Sequence, residues 1–240
     1  MIRDSCSYRS KVKRYHILSF LFKHRISNDL QFFVVHFINN IVIFVKTDAK
    51  IIKFCTMAKE HDIMWLEEVD STYKYARRHI ESLDNLSVVS ALSQTEGKGQ
   101  GDHTWHSKSG ENLLFTIILK NPPFAASHQK IISDMTARSI VSLLHSHGIE
   151  AWIKPPNDIW VDRKKICGIL IEHSLIGQRI SWSIIGVGHN VNQTDFPADL
   201  PNPTSMASEN SGADIRALLE EFMDIFRLSM QQSQRQDPQP

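Results

Sequence analysis

The sequence predicts an α+β fold, a mixed β-sheet with flanking helices. Three observations carry this. Short apolar, β-branched runs recur from residue 63 onward, three stretches place apolar residues at helical spacing, and the two kinds cluster instead of alternating as regular βαβ units.

The elements follow in order. Residues 63–69 form a strand, and Ser71-Thr72, natural partners for exposed amide N–H groups, start a helix through Tyr75, Ala76 and Ile80. Residues 86–93 are β-rich, and 97–101 form a glycine-spaced loop. A second apolar strand at 113–119 is closed by Asn121-Pro122-Pro123. Apolar residues Ile131, Met135, Ile140, Val141 and Leu144 give 127–147 a helical period that ends at Gly148. Short strands are expected at 151–154, 159–161, 168–174 and 181–187, then an amphipathic helix at 214–230 and a polar, disordered tail at 231–240.

Residues 1–56 differ from the rest. They scatter Lys and Arg among Phe, Ile and Val and hold neither proline nor glycine. The apolar run 30–45 is shorter than the roughly 20 residues of a spanning helix and is interrupted by His36, Asn39 and Asn40. A poorly folded extension, a membrane-associating segment, or upstream DNA translated in error are the three readings. The last, with Met57 as the true start, is favoured because the organised pattern begins only after it. No cleavable leader and no helix-turn-helix is visible. The domain plan is therefore an atypical segment at 1–56, the main folded domain at 57–230 and the tail at 231–240.

A net charge of +1 excludes a strong field for nucleic acid, so anion binding must be local. Three widely spaced cysteines, Cys6, Cys55 and Cys167, give neither a zinc site nor a disulfide framework, and a reducing, cytoplasmic setting is expected.

Local anion sites are suggested by four segments. In Gly97-Lys98-Gly99-Gln100-Gly101, alternate glycines let the backbone adopt positive φ and turn its amides toward an anion, while Lys98 adds charge; alone, it reads as a surface loop. In Lys154-Pro155-Pro156-Asn157-Asp158, the prolines stiffen a carboxylate and an amide suited to magnesium or a ribose hydroxyl, or simply make a turn. Lys165-x-x-Gly168 opens an apolar strand and projects an ammonium to one end of the sheet, where it can stabilise a doubly anionic transition state; in isolation it is a solvated member of the Arg163-Lys164-Lys165 run. Gly186-x-Gly188-x-Asn190 permits close ligand approach beside a polar edge, or marks a bulge. His189 reads as structural or solvent-facing, and Trp105 as a packing residue.

In order and spacing these segments resemble the biotin–protein ligases. Ser71-Thr72 is similar to the family's Ser-Thr-Asn, and Gln94…Gly97-Lys98-Gly99…Trp105 to its glycine–arginine loop. Lys154-Pro155-Pro156-Asn157-Asp158 with Lys165-x-x-Gly168-Ile169-Leu170-Ile171-Glu172 resembles its Lys-Trp-Pro-Asn-Asp and Lys-x-x-Gly-Ile-Leu-x-Glu, and Gly186-x-Gly188-x-Asn190-x-Asn192 agrees, over about residues 62–230. The resemblance implies a catalytic fold like that of class II aminoacyl-tRNA synthetases. It implies the monofunctional type without a DNA-binding domain, and the small C-terminal β-barrel of many members is not evident. ATP and biotin would be substrates with Mg2+ as cofactor. The partner would be a biotin carboxyl carrier domain of acetyl-CoA carboxylase or a related carboxylase, without nucleic acid or membrane; a homodimer is admitted. By resemblance, Lys165 is catalytic, bridging carboxylate and phosphate. Ser71, Thr72, Gln94, Lys98, Gly99, Gln100, Lys165, Gly186 and Gly188 bind biotin. Lys98, Asn157, Asp158 and Asn190 serve ATP and magnesium.

The chain departs from the pattern at Tyr73 for Asn, Lys98 for Arg, Gln100 for a second loop Arg, and Pro155 for Trp. Losing the arginine forks should weaken retention of the adenylate more than biotin binding. Two rivals stay open: a lipoate or octanoyl transferase of the same fold, and a non-catalytic biotin-binding protein.

Overall fold

The computed structural model describes residues 62–156 and 158–236, and before them the backbone of four strands. These are β1 (Leu21–Ser27), β2 (Leu30–Phe37), β3 (Asn40–Thr47) and β4 (Lys50–Cys55), an antiparallel sheet in the order β1-β2-β3-β4. The apolar run at 30–45 thus falls on two paired strands. Its β-branched and aromatic content suits a strand better than a helix.

The second unit, His61–Pro240, is built on a seven-stranded sheet. In chain order it has β5 (Ile63–Val69), α1 (Thr72–Arg78), β6 (Val88–Gln94), β7 (Leu113–Lys120), α2 (Lys130–Ser146), β8 (Ala151–Lys154), β9 (Asp158–Val161), β10 (Lys164–Ile176), β11 (Arg179–His189) and α3 (Ile215–Gln236). The spatial order is β5-β6-β7-β11-β10-β9-β8. Only β5 and β6 pair in parallel, with α1 in their crossover. The remaining neighbours are antiparallel, so the sheet is mixed, as expected.

Three elements run past their expected bounds. The strands expected at 168–174 and 181–187 are longer because β10 and β11 zip together from Cys167↔His189 to Ile176↔Arg179, around Gly177 at φ +59°. The last helix passes Met230, which packs against the core, and continues to Gln236, although 231–236 were expected in a disordered tail. A helix already anchored by packing propagates through polar residues at little further cost.

Strand alternation sorts the side chains. Phe115, Ile117 and Leu119 of β7 and Ile185 and Val187 of β11 join α2 and α3 in the main core, with Phe115 and Phe222 ring centroids 5.0 Å apart. The intervening Ile118 and Ile184 pack with Tyr73 and Ala76 of α1 in a smaller cluster. Beyond α1, that second face carries glycines and a threonine, and there the sheet is left concave.

Candidate functional site

A cavity of about 530 Å3 opens on that face, within the range of small-molecule sites. Its lining includes Gly186 and Gly188 of β11. At the Gly186 end lie Ser71, Thr72, Tyr73 and Gln94; at the Gly188 end lie Trp105, Lys165, Gly168 and Asp158. The glycines are two positions apart along the strand, a rise of roughly 7 Å.

The first end is a hydrogen-bonded shelf. The Thr72 amide donates to Gln94 Oε1 at 2.7 Å and the Thr72 hydroxyl donates to the same oxygen at 3.1 Å. Thr116 Oγ1 in turn donates to Thr72 Oγ1 at 3.0 Å. A backbone N–H can only donate, so the Gln94 oxygen faces the helix and its amide nitrogen remains a donor for a ligand. Ser71 is the N-cap of α1, but its hydroxyl makes no capping bond. It is nearly fully buried and lines the cavity instead. Asp70 and Arg78 clamp this helix across its length at 2.6 and 2.9 Å, and that pairing holds the Asp70 carboxyl down at about 2.

At the other end the Lys165 ammonium lies 2.7 Å from Asp158 Oδ1 and 5.4 Å from the centre of the Trp105 ring. How Lys165 reaches the cavity is a matter of register. The β9–β10 pairing passes from Lys165↔Trp160 to Cys167↔Ile159, so one extra residue, Ile166, is accommodated on β10. Ile166 and Cys167 are consecutive, yet both are in the main core. This bulge puts Lys165 on the same side as Gly168, three residues on, where uninterrupted alternation would oppose them. A Cβ at Gly168 would meet the Lys165 Cε at 3.2 Å. A strap tightens the arrangement: Lys165 N donates to Asn202 O and Thr204 N to Lys165 O, bringing Pro203 into the wall with Phe196, Leu200 and Pro201.

The glycine loop corrects its expectation. Only Gly101 has positive φ. Gly99 N donates to His103 O and Trp105 N to Gly97 O, both at 2.8 Å, so 97–105 is a tight hairpin and these two amides are spent internally rather than turned to an anion. Gly97 is needed because a Cβ there would sit 2.3 Å from Trp105 O. Lys98, Gly99 and Gln100 still line the cavity. Trp105 packs, as expected, and also lines the cavity: its indole lies in the groove formed by Gly168 and Gly188, where a Cβ would meet it at 2.9 and 2.4 Å. Nothing in the chemistry of a lone tryptophan signalled this; the two distant glycines were the only trace.

All the expected site residues among those described, namely Ser71, Thr72, Gln94, Lys98, Gly99, Gln100, Asp158, Lys165, Gly186, Gly188 and Asn190, line this one cavity. Asn157 lies outside the described residues. Asn190 Nδ2 donates to Thr204 O at 2.9 Å, while its buried Oδ1 has no protein partner. His189 is fully buried, not solvent-facing; burial, with a smaller contribution from His147, brings its pKa down to about 3 and keeps it neutral. Among the described residues no group of three or more His, Cys, Asp or Glu could hold a metal ion, and no helix is long and apolar enough to cross a membrane.

A trough with amide and hydroxyl groups at one end and a lysine–aspartate pair at the other is set into an α+β domain. The chain belongs to the biotin/lipoate A/B protein ligase family, whose model matches residues 65–190. Over 159 residues it is 35% identical to the bifunctional ligase/repressor BirA of Bacillus spizizenii, covering 64% of this chain and 48% of that protein, so the chain spans about half the length of this relative. It is 26% identical to the biotin–[acetyl-CoA-carboxylase] ligase of Paracoccus denitrificans, covering 67% and 68%. Among solved structures, the biotin protein ligase of Leishmania major in complex with biotinyl-5-AMP superposes with a TM-score of 0.57 at 25% identity, covering 71% of this chain and 75% of that one. The fold expected from the motifs is the fold found.

Proposed function

We propose that this chain is an ATP-dependent ligase that forms biotinyl-5′-AMP and transfers the biotin to a specific lysine of a biotin carboxyl carrier domain. The observation that carries the reading is the chemistry of the trough: the hydroxyls of Ser71 and Thr72 and the Gln94 amide line the Gly186 end, where Lys98 stands over the Tyr73 ring, and Lys165 is fixed at the other. A ureido ring presents one acceptor and two donors, and Ser71, Thr72 and the Gln94 amide complement it. The dithiolane of lipoate would leave the buried Ser71 hydroxyl and the Gln94 amide nitrogen without a ligand partner, which is costly. This favours biotin within a family that covers both acids.

In the first step a biotin carboxylate oxygen attacks the α-phosphorus of ATP and pyrophosphate leaves. Lys165 supplies positive charge where two anions must meet, and Asp158 orients it until they do. Lys98 and Gln100 close over the adenylate. The apolar strap Phe196, Leu200, Pro201 and Pro203 suits a nucleobase, and the unpartnered Asn190 Oδ1 suits a polar edge of the nucleotide. Asp158 is one carboxylate, which fits a magnesium ion delivered on the triphosphate better than a resident one; when bound, the ion would neutralise the departing pyrophosphate. In the second step the carrier lysine amine attacks the acyl carbon and AMP leaves. The carrier's identity as part of acetyl-CoA carboxylase is proposed on likeness to the Paracoccus ligase.

The deciding experiment incubates the purified chain with ATP and either biotin or lipoate, with and without a biotin carrier domain. Pyrophosphate release with biotin and a biotin-sized mass gain on the carrier lysine are expected. Turnover with lipoate alone would make the chain a lipoyl ligase. Tight biotin binding without pyrophosphate would make it a binding protein.

A further inference from the structure

Tyr73 follows the Ser71-Thr72 pair, yet no role in binding falls to it from the reading above. Its side chain is only 4% exposed and borders the cavity beside Gly186. A Cβ built at Gly186 would lie 3.4 Å from the Tyr73 ring, so the ring occupies the space that this glycine leaves over β11. The Lys98 ammonium stands 5.1 Å from the ring centroid, a contact that the face of an aromatic ring favours.

The ring is held at both ends. Its Cβ is fixed by α1, and its hydroxyl donates to Glu172 Oε2 on β10. Arg77, one turn further along α1, donates to both oxygens of the same carboxylate at 2.5 and 2.6 Å. Leu170 of β10 and Ile184 of β11 pack in the same small cluster. Swinging the ring away from the cavity would break the bond to Glu172 and expose an apolar face. Burial, together with the Glu172 carboxylate, keeps the phenol protonated and able to donate.

We infer that Tyr73 is a specificity-determining residue: a rigid side wall, braced from outside by Glu172 and Arg77, that sets how wide a ring system can enter the Gly186 end of the cavity. The inference rests on the proposed function, since it assigns the ring system of the acid to this end. A mobile wall would yield to a bulkier head group; a braced one rejects it. The ligand class it selects is a compact bicyclic acid, and it excludes congeners with added bulk on the ring.

The test uses the full chain and three acids: biotin, biotin sulfone, which adds two oxygens on the ring sulfur, and desthiobiotin, which lacks that sulfur. Pyrophosphate release gives kcat/KM for each. In Tyr73→Ala and Tyr73→Leu the ratio of sulfone to biotin should rise at least about tenfold, the scale of one misfit group in a shaped pocket. Glu172→Ala, at a partly exposed position, leaves the ring in place but removes its brace. It should move the ratio the same way by about threefold, because the wall can then yield. Desthiobiotin, smaller than biotin, should gain nothing over biotin in any variant. Ratios unchanged in both Tyr73→Leu and Glu172→Ala would overturn the wall, whatever happens to overall activity. A purely structural role for Tyr73 would lower all three acids together and leave the ratios fixed, which also overturns it. Wild-type turnover with biotin is the separate control: its absence would sink the proposed function, whereas its presence with fixed ratios sinks only the wall.

Discussion

The two faces of the seven-stranded sheet share the same strands and do opposite work. On one, Phe115, Ile117, Ile185 and Val187 meet α2 and α3, with almost no accessible surface left. On the other, the alternating positions in β11 are Ile184, Gly186 and Gly188, which fall from a full side chain under α1 to none beneath Trp105. Folding energy is gathered on the first face, and a ligand-sized void is maintained on the second. Burying one large apolar side chain contributes ~1.5–3 kcal/mol, so the packed face can support the empty one.

This contrast can be broken from either side. The largest expected effect is on the packed face: Phe222→Ala should cost ~3–5 kcal/mol of unfolding free energy, read by denaturant titration, with biotin affinity unchanged in the fraction that remains folded. On the open face, Lys165→Ala should reduce pyrophosphate release at least ~100-fold, while the midpoint of thermal unfolding holds; unchanged turnover would remove Lys165 from the chemistry. Gly188→Ala brings a methyl group to within 2.4 Å of Trp105 and must displace the indole. It should raise the KM for biotin by about tenfold and cost about 1–3 kcal/mol of stability from overpacking. Gln100→Arg sharpens the contrast further, since a guanidinium fork should slow the escape of free biotinyl-AMP measured without acceptor by about threefold. The smallest effect lies in the α1 clamp. Asp70 has a lowered folded pKa, so its contribution is present above the unfolded value of 3.8 and is lost as pH falls toward about 2. Arg78→Ala should therefore lower stability slightly at pH 7, and the difference from wild type should vanish near pH 2.

How much of this was legible in the sequence depended on what each residue needed. Strand and helix types followed from apolar periodicity, and the site motifs converged because each carried its own chemistry: hydroxyls at 71 and 72, an amide at 94, a lysine at 165. Lengths were less visible. β10 and β11 extend because they pair with each other, and α3 extends because its earlier turns are packed; neither fact is local. Trp105 packs, as expected, but where it packs was not visible, because its position is decided by glycines 63 and 83 residues away. The glycine loop was misread for a similar reason. Gly97 and Gly99 look like an anion nest, but they are small so that two backbones can touch, and the hairpin they allow uses the Gly99 amide and the Gly97 carbonyl.

The bulge at Ile166 has a further meaning. A lysine three positions before a glycine would ordinarily point through the sheet to its far side, so the single surplus residue acts as a phase inverter for the chain. Straightening the strand while keeping that residue would turn the Lys165 ammonium toward the buried face that holds Ile166 and Cys167, so the kink both delivers the charge to the cavity and keeps it out of hydrocarbon.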